Sequence, residues 1–305
     1  SNNGSVSGII TGDMGIDAKN DKKPSYTQGI EIRGKYTLLS EGCRGHLGKE
    51  VIEKFSLDNG CDPQHYSIGI KELWSIPDNL HKPGLVIHSA GWPLSESKSN
   101  GGGFLYHADD CQVMVGLITD LSYTNPHLNP YEEFQRYKHH PEISKYLTGG
   151  KRISYGAKAL AKGGIQSQPK MDFPGGILIG DNAGTLNNAK IKGIHCAMKS
   201  GMVAAESIVK SMDAIKTDPN TEYFSTAYKK SWAYQELILQ RNFGPAQHKW
   251  GNILGSAFSF LDINIFNGKL PWTLRDREPD HSKLKPVKDM QPIVYRKPDN
   301  KISFD

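Results

Sequence analysis

Residues 175–181, GGILIGD, carry an apolar run in which Ile177, Leu178 and Ile179 follow one another with no polar residue at an alternate position. A strand of that kind has to be covered on both faces, which is the situation of a strand inside a parallel sheet. The segment beyond it narrows the fold further. After a glycine-rich loop, Ile194, Ala197, Met198, Gly201, Ala205, Ile208, Val209 and Met212 recur at gaps of three and four, the apolar stripe of a helix. Strand, loop and helix make a βα unit, and the small residues on the stripe predict that this face lies close against the sheet. Asp181 then falls at the carboxyl end of the strand, where open α/β sheets bind ligands. The helix N-terminus points back toward it with unpaired N–H groups and partial positive charge. A carboxylate that accepts hydroxyl hydrogen bonds beside a positive helix end suits a polyol joined to an electron-accepting ring, the two parts of a flavin. An aspartate that only caps a crossover is the plainer reading of the same residues.

A second βα unit precedes it. The spacing predicts a strand at Lys35–Ser40, a tight turn from Gly42 to Gly45 and a helix from His46 to Phe55. Arg44, between two glycines of that turn, either faces a dinucleotide or belongs to an ordinary βα turn. Upstream, residues 8–18 and 28–40 read as strands flanking the polar turn AKNDKKPS. Residues 64–120 have a different pattern. QHYSIGIKELW, GLVIHSAGW, GFLYHA and CQVMVGLIT are strand-like runs divided by short turns, with no convincing helix between them, so an antiparallel sheet is expected. Within it Gly101, Gly102 and Gly103 lead into Phe104–Tyr106, either as a backbone surface that a flat ligand can approach or as a hairpin loop. Residues 129–163 return to helical composition. The adjacent His139 and His140 point in different directions and have no third ligand at a useful spacing, so no metal site is expected.

The chain has 305 residues, enough for two domains. Its 37 basic and 32 acidic residues, net +5, are interspersed without the runs of a nucleic-acid tail, and no nucleic-acid partner is expected. The four cysteines form no CxxC pair, so neither a zinc site nor a disulfide framework is legible and they read as reduced thiols of an intracellular protein. The opening SNNGSVSGIITGD and the closing KISFD both read as cut edges of something longer.

Taken together, GGILIGD with AKIKGIHCAMKSGMVAAES, GCRGHLGKE, IGIKELW, GWPL, the glycines before FLYH, EFQRYKHHP, GGKRISYGAKAL, LPWTL, LKPVKDMQPI and KPDNKISFD resemble the electron transfer flavoprotein-ubiquinone oxidoreductase family, in the family's order and over essentially the whole chain. The resemblance implies a mixed α/β fold of the FAD-binding glutathione-reductase or geranylgeranyl-reductase type with an antiparallel quinone-binding domain. Residues 1–60 and 151–215 would be parts of the FAD domain, 61–150 the ubiquinone-binding domain, and 216–305 a membrane-associated region leading to an iron-sulfur domain. Gly180, Asp181 and Gly184 match the loop that contacts the flavin ribityl chain. Lys192, Gly193 and Ile194 match the loop and helix start facing the isoalloxazine, and Gly42 and Arg44 match the FAD-domain turn. Gly101 and Gly102 match the glycines that face the ubiquinone headgroup.

The family's dinucleotide-binding GxGxxG and the four cysteines of its 4Fe-4S cluster are missing from this sequence, which implies a central fragment. The implied reaction passes electrons from reduced electron transfer flavoprotein, through the cluster of the full-length protein and FAD, to ubiquinone, with no acid-base catalyst nominated. The implied location is the matrix side of the mitochondrial inner membrane or the bacterial cytoplasmic membrane. Contact with the membrane is expected from residues 248–272, where Gly251–Leu261 holds eleven uncharged residues, Asp262 interrupts, and Trp250 and Trp272 bracket the run. Eleven residues are too few to span a bilayer, which takes roughly twenty, but they suit a segment lying in its interface. An apolar helix buried in the core also fits. Two rival functions remain: an NAD(P)H-dependent flavin reductase or monooxygenase acting on a lipid, and a flavin-free membrane-binding scaffold.

Overall fold

The computed structural model describes residues 4–213 and 222–305, and the boundary expected at 215/216 lies outside the described residues. The chain divides into two compact units. The first comprises residues 1–60, 168–185 and 192–237, the second residues 61–167, 186–191 and 238–305.

In the first unit, β1 (Gly8–Ile10) pairs antiparallel with β4 (Glu31–Arg33), and β2 (Met14–Ile16) with β3 (Lys22–Thr27). The two long strands expected here are therefore four short ones, and half of the expected polar turn, Lys22 onward, is strand. Asp13 explains part of the break: its carboxylate accepts from Gly29 N–H at 2.7 Å and Tyr26 Oη at 3.0 Å, folding the segment back on itself. Next come β5 (Thr37–Leu39) and α1 (His46–Lys54), close to the expected bounds.

The second unit begins with β6 (Tyr66–Ser75), β7 (Val86–Ala90), β8 (Gly101–His107) and β9 (Gln112–Asp120). Helices α2 (Pro130–Lys138) and α3 (Pro141–Leu147) follow, each with proline in its first turn where the missing N–H costs nothing. Then comes β10 (Lys151–Ala161), an eleven-residue strand where helix was expected. Its alternation of Arg152, Ser154, Gly156 and Lys158 against Ile153, Tyr155, Ala157 and Ala159 is the period of a strand. All five strands form one antiparallel sheet in the order β10-β6-β9-β8-β7, so this sheet runs through Ala161. Its covered face meets α2 and α3 in a core of Trp74, Leu105, Val113, Val115, Leu117, Phe134, Tyr137 and Leu147.

Within that core the Lys138 ammonium, wholly buried, lies 2.9 and 3.0 Å from the Glu72 carboxylate, which also takes Trp74 Nε1–H at 2.8 Å and Arg152 at 3.2 Å. Burial pulls the Lys138 pKa down to about 8 against the pull of Glu72. The two histidines of sequence interest have local partners: His139 Nε2 is 3.0 Å from Ser303 Oγ, and His140 Nδ1 accepts from Glu142 N–H at 3.2 Å to cap α3.

The chain returns to the first unit with β11 (Asp172–Phe173) and β12 (Gly176–Leu178). β12 pairs in parallel with β5, Ile177 opposite Leu38, so the expected parallel sheet is one parallel pair with β11 antiparallel at its other edge. Helix α4 (Ile194–Asp213) covers it, followed by α5 (Glu222–Lys230) and α6 (Trp232–Leu239). The buried face of α4 is not the expected stripe. Cys196, Ser200, Val203, Ala204 and Ser207 are buried, while Ile194, Met198, Val209 and Met212 are 79%, 64%, 57% and 52% exposed. Serines on the inward face let the helix approach, and Ser200 Oγ donates to Ala197 O at 2.7 Å while accepting Gly180 N–H at 2.9 Å. A stripe drawn from apolar residues alone skips such serines.

The last helix, α7 (Phe243–Phe260), is broken at Gly251, whose φ of 72° and ψ of −176° no helix tolerates. Its two halves fold onto each other: a Cβ at Gly255 would sit 2.8 Å from Ala246 O, and the Trp250 and Phe258 rings are 5.0 Å apart.

Candidate functional site

In the first unit the expected flavin loop is built by backbone geometry. Ile179 N–H continues the parallel ladder to Leu39 O at 3.0 Å, and Gly180, at φ 62°, then turns the chain into a short 3₁₀ turn, Gly180–Ala183. Gly184, at φ 72°, closes that turn by donating to Asp181 O at 3.1 Å. Both glycines hold left-handed backbone that other residues adopt at a cost. Gly180 is also a contact point for α4, since a Cβ there would lie 3.4 Å from Ala197 Cβ. Asp181, half-buried, occupies the first turn of this loop at the end of β12. Lys192 is exposed, Gly193 accepts the first helical bond of α4 from Ala197 N–H at 2.9 Å, and Ile194 opens the helix on its exposed side. The loop and the start of α4 are therefore brought together.

The turn after β5 joins the same place. Gly42 has φ 82°, and Arg44 is exposed. Contact with the flavin loop is made by Gly45 and Gly48, where a Cβ would strike the Asn182 side chain at 2.4 and 2.3 Å. Asn182 itself was not legible as a site residue. Its Oδ1 is buried with no hydrogen-bond partner among the described residues, an acceptor held ready between the two turns. Glu41 was missed as well: it takes Gly48 N–H at 2.7 Å and Leu47 N–H at 3.3 Å, satisfying the first amides of α1. Loop glycines flanked by a carboxylate and an orphaned amide oxygen fit a polyol and its attached ring system. In the first turn of α4, His195 Nε2 lies 2.7 Å from Glu236 Oε1 and its ring stacks on Trp232 at 5.6 Å.

In the second unit, Gly101–Gly103 are not a loop before a strand but the first residues of β8. Each is required by crowding. A Cβ at Gly101 would meet Ile118 O at 2.2 Å, at Gly102 Ser89 O at 2.4 Å, and at Gly103 the Tyr137 ring at 2.2 Å. Asp120 N–H donates to Asn100 O at 3.0 Å, and because the peptide is planar and trans, the N–H of Gly101 points the opposite way. On that side β7 pairs no farther than Ala90 opposite Gly102. Gly103, Leu105 and His107 face the core, so Gly102, Phe104 and Tyr106 face the other side, with the Phe104 and Tyr106 rings stacked at 5.5 Å. Gly116, directly beneath Phe104, and Ile118 share that face by strand alternation. A glycine floor, aromatic rings and an outward-pointing amide are what a flat dicarbonyl ring needs.

The segment 248–272 presents Ile253, Leu254, Phe260, Ile265, Phe266 and Trp272 to solvent, each between 49% and 85% exposed, which excludes an apolar helix buried in the core. Asp262, expected to interrupt this surface, points inward: it is 1% exposed and accepts from Asn242 Nδ2 at 2.9 Å. No helix among the described residues is long and apolar enough to cross a membrane.

Residues 66–160, all within the second unit, match the family described as ETF-QO, ubiquinone-binding. The chain is 57% identical over 99% of its length to the electron transfer flavoprotein-ubiquinone oxidoreductase of Pseudomonas aeruginosa, and 46% identical over 99% of its length to the mitochondrial protein of that name from Bos taurus. It covers 55% and 50% of those proteins, about half the length of the curated relatives it matches. Among solved structures it is similar to a geranylgeranyl bacteriochlorophyll reductase-like protein from Thermoplasma acidophilum, with TM-score 0.55, 14% identity, and coverage of 82% of this chain and 58% of that one. A flavin-dependent brominase aligns with TM-score 0.52 and 16% identity over 88% of this chain and 58% of the other. At these identities the likeness is one of fold: the chain shares a mixed α/β architecture with the reductase-like protein and the brominase.

Proposed function

We propose that this chain, 57% and 46% identical over 99% of its length to two electron transfer flavoprotein-ubiquinone oxidoreductases, forms the part of a flavoprotein oxidoreductase in which FAD passes electrons to ubiquinone. The observation that carries this reading is the open face of β8 and β9, where Gly102, Gly116, Phe104 and Tyr106 meet an amide at Gly101 turned away from the ladder. The amide donates to one quinone carbonyl oxygen, and the aromatic pair packs against the ring or its isoprenoid tail.

FAD is the expected cofactor; when bound it accepts electrons and passes them on. Gly180 and Gly184 let the backbone approach its ribityl chain, and Asp181 accepts a ribityl hydroxyl. Asn182 offers a second acceptor. Lys192, Gly193 and Ile194 place the positive end of α4 toward the pyrimidine edge of the ring, where negative charge accumulates on reduction. Gly42 and Arg44 flank the turn on the other side. Electrons would come from reduced electron transfer flavoprotein, with the 4Fe-4S cluster supplied by the full-length protein. The exposed apolar residues from Ile253 to Trp272 lie in a membrane interface, the inner mitochondrial or bacterial cytoplasmic membrane, from which a lipid quinone is drawn.

Photoaffinity labelling of the full-length protein with an azido-ubiquinone tests the seat. Label is expected on peptides spanning β8 and β9, suppressed by excess ubiquinone. Label confined to other segments overturns the assignment of Gly101 and Gly102. Flavin that is bleached rapidly by NAD(P)H, instead of by electron transfer flavoprotein, would favour the reductase alternative.

A further inference from the structure

Beside the open face of the five-stranded sheet runs a chain of carboxylates and imidazoles, joined by hydrogen bonds and, between His65 and Asp276, by an ion-pair contact, that neither the flavin nor the quinone assignment uses. From the outside inward, Asp280 Oδ1 lies 2.7 Å from His65 Nδ1, and His65 Nε2 lies 3.3 Å from Asp276 Oδ2. The same Asp276 oxygen bonds His248 Nδ1, and His248 Nε2 is 3.0 Å from Asp120 Oδ2. Carboxylate and imidazole alternate along the whole run, and the two rings meet edge to face at 5.1 Å. The outer Asp280 side chain is 12% exposed and the innermost Asp120 2%; between them Asp276 is 13% exposed, and His65 and His248 are 5% and 6%.

The charges facing this chain come from several elements. Lys162, just past β10, bonds Asp120 Oδ2 and lies 3.3 Å from His248 Nε2. Lys283 is 3.5 Å from Asp276, and Asp62, which pairs with Arg275 at 2.8 Å, accepts Asp276 N–H at 3.2 Å. Four carboxylates against three cations leave one negative charge, which a single imidazolium cancels. The cluster therefore has room for one exchangeable proton. Burial works against that proton on His248, but the bonds to Asp120 and Asp276 outweigh it and raise the imidazole pKa.

The inner end is aimed at the sheet face. Asp120 closes β9 on the same side as Gly116 and Ile118, and hence as Gly102 and Phe104. Its Oδ1 is buried and has no hydrogen-bond partner among the described residues. Its own amide is bonded to Asn100 O, the other end of the peptide whose N–H is that of Gly101.

We propose that Asp280, His65, Asp276, His248 and Asp120 form a proton relay from solvent to the quinone oxygen seated at the β8–β9 edge. This rests on the reading of that edge as the quinone seat. Converting a quinone to its quinol takes two electrons, here from reduced flavin, and two protons, one for each carbonyl oxygen. The relay serves the oxygen at the β8–β9 edge, where the O–H bond of protonated Asp120 breaks as the quinol O–H forms, and the far oxygen takes its proton from water. The Asp120 carboxylate then takes the proton from His248 Nε2, and His248 regains one at Nδ1 through Asp276, His65 and Asp280 from water. A quinone oxygen that has received electrons is a far stronger base than a carboxylate, so the transfer runs toward the quinone although Asp120 holds its proton only in passing.

The test uses the full-length, flavin-loaded protein and its Asp120→Asn and His248→Gln variants. Flavin is reduced with dithionite and its reoxidation by a short-chain ubiquinone followed by stopped flow across pH and in D2O. Flavin content and reduction are expected to be unchanged. Reoxidation at pH 7.5 should slow by on the order of tenfold or more, with an enlarged solvent isotope effect, and azide or formate should restore much of the rate in Asp120→Asn. Wild-type protein should show no such rescue. Variants that melt normally and reoxidise with the wild-type rate, pH profile and isotope effect overturn the relay. So does a slowed variant that neither small acids nor D2O affects, since that marks a role in packing alone. If Asp120→Asn does not fold, Asp276→Asn in the middle of the chain carries the same test with a smaller expected defect. Wild-type protein that reduces no quinone at all would instead remove the seat on which the relay depends.

Discussion

The two candidate ligand regions are made of different material. The loop after β12 is a backbone site: two left-handed glycines, the amides at the start of α4, one carboxylate and one orphaned amide oxygen, nearly all within residues 180–197. The β8–β9 face has a backbone component too, but its chemistry is set by side chains brought from far apart. Asp280 is 215 positions from His65, and Asp120 is 128 from His248. A backbone site tolerates sequence change around it but not a change of dihedral angle. A buried ionic site tolerates neither the loss of one partner nor a shift in protonation.

The same contrast explains what was legible in the sequence. GGILIGD revealed its strand, its turn and Asp181 because each step depends on neighbours within a few positions. The antiparallel sheet was legible from four alternating runs, and β10 was missed because its small residues and lysines also suit a helix. The face of α4 was misjudged because Ser200 counts as polar until its hydroxyl is seen bonded to Ala197 O within the helix. Asn182, Glu41, Asp120, His65, His248 and Asp276 carried no local signal at all. Histidines and aspartates scattered over two hundred residues become a cluster only when the sheet and α7 place them together.

The largest expected effect tests whether buried charge holds the second unit. Lys138→Met leaves Glu72, 1% exposed, with only Arg152 and Trp74, and should destabilise this unit by about 3–5 kcal/mol in denaturant unfolding followed by tryptophan fluorescence. Adding Glu72→Gln should recover most of the loss. Flavin content of the folded fraction should stay constant, and flavin lost in step with unfolding of this unit would erase the contrast between the two regions.

Next comes the exposed apolar surface of residues 248–272. Phe258, packed on Trp250, is partly buried, whereas Ile253 and Phe260 are 85% and 61% exposed and are the better probes. Replacing both by serine should weaken liposome binding by roughly 1.5–3 kcal/mol for each side chain that enters the bilayer. Melting temperature and flavin absorbance should hold. Undiminished sedimentation with vesicles would place the interface on another surface.

On the backbone side, Asp181→Ala removes a single hydrogen-bond acceptor at an otherwise intact loop. The expected cost to FAD affinity is about 1–3 kcal/mol, roughly a 5- to 150-fold rise in Kd, measured by flavin release from the full-length protein. Gly180→Ala should add strain to that loss through its φ of 62°. An unchanged Kd for Asp181→Ala would leave the aspartate as a turn cap and transfer the ribityl contact to Asn182.

The smallest effect is the most specific to the ionic region, and it has opposite signs at the two ends of the pH scale. Burial pushes the Asp120 pKa up, but the Lys162 charge and the His248 bond pull it below its ordinary 3.8 to about 2. Asp276, also opposed by burial, is brought to about 2 chiefly by its bond to His248. Carboxylates with depressed values contribute stability that is present above about pH 3.8 and lost as pH falls toward 2. His248 is shifted the other way, above its ordinary 6.5, so its contribution is complete below that pH and is lost as pH rises through its value in the folded protein. The melting temperature of the second unit should therefore form a plateau between about pH 4 and 6.5 and decline on both sides. His248→Gln removes the titrating imidazole, so its melting curve should lose the alkaline decline and keep only the part of the acid one that Asp120 holds through Lys162. If both limbs survive the substitution unchanged, His248 does not hold the cluster's proton, and the charge balance that distinguishes this region from the loop after β12 has to be met elsewhere in the cluster.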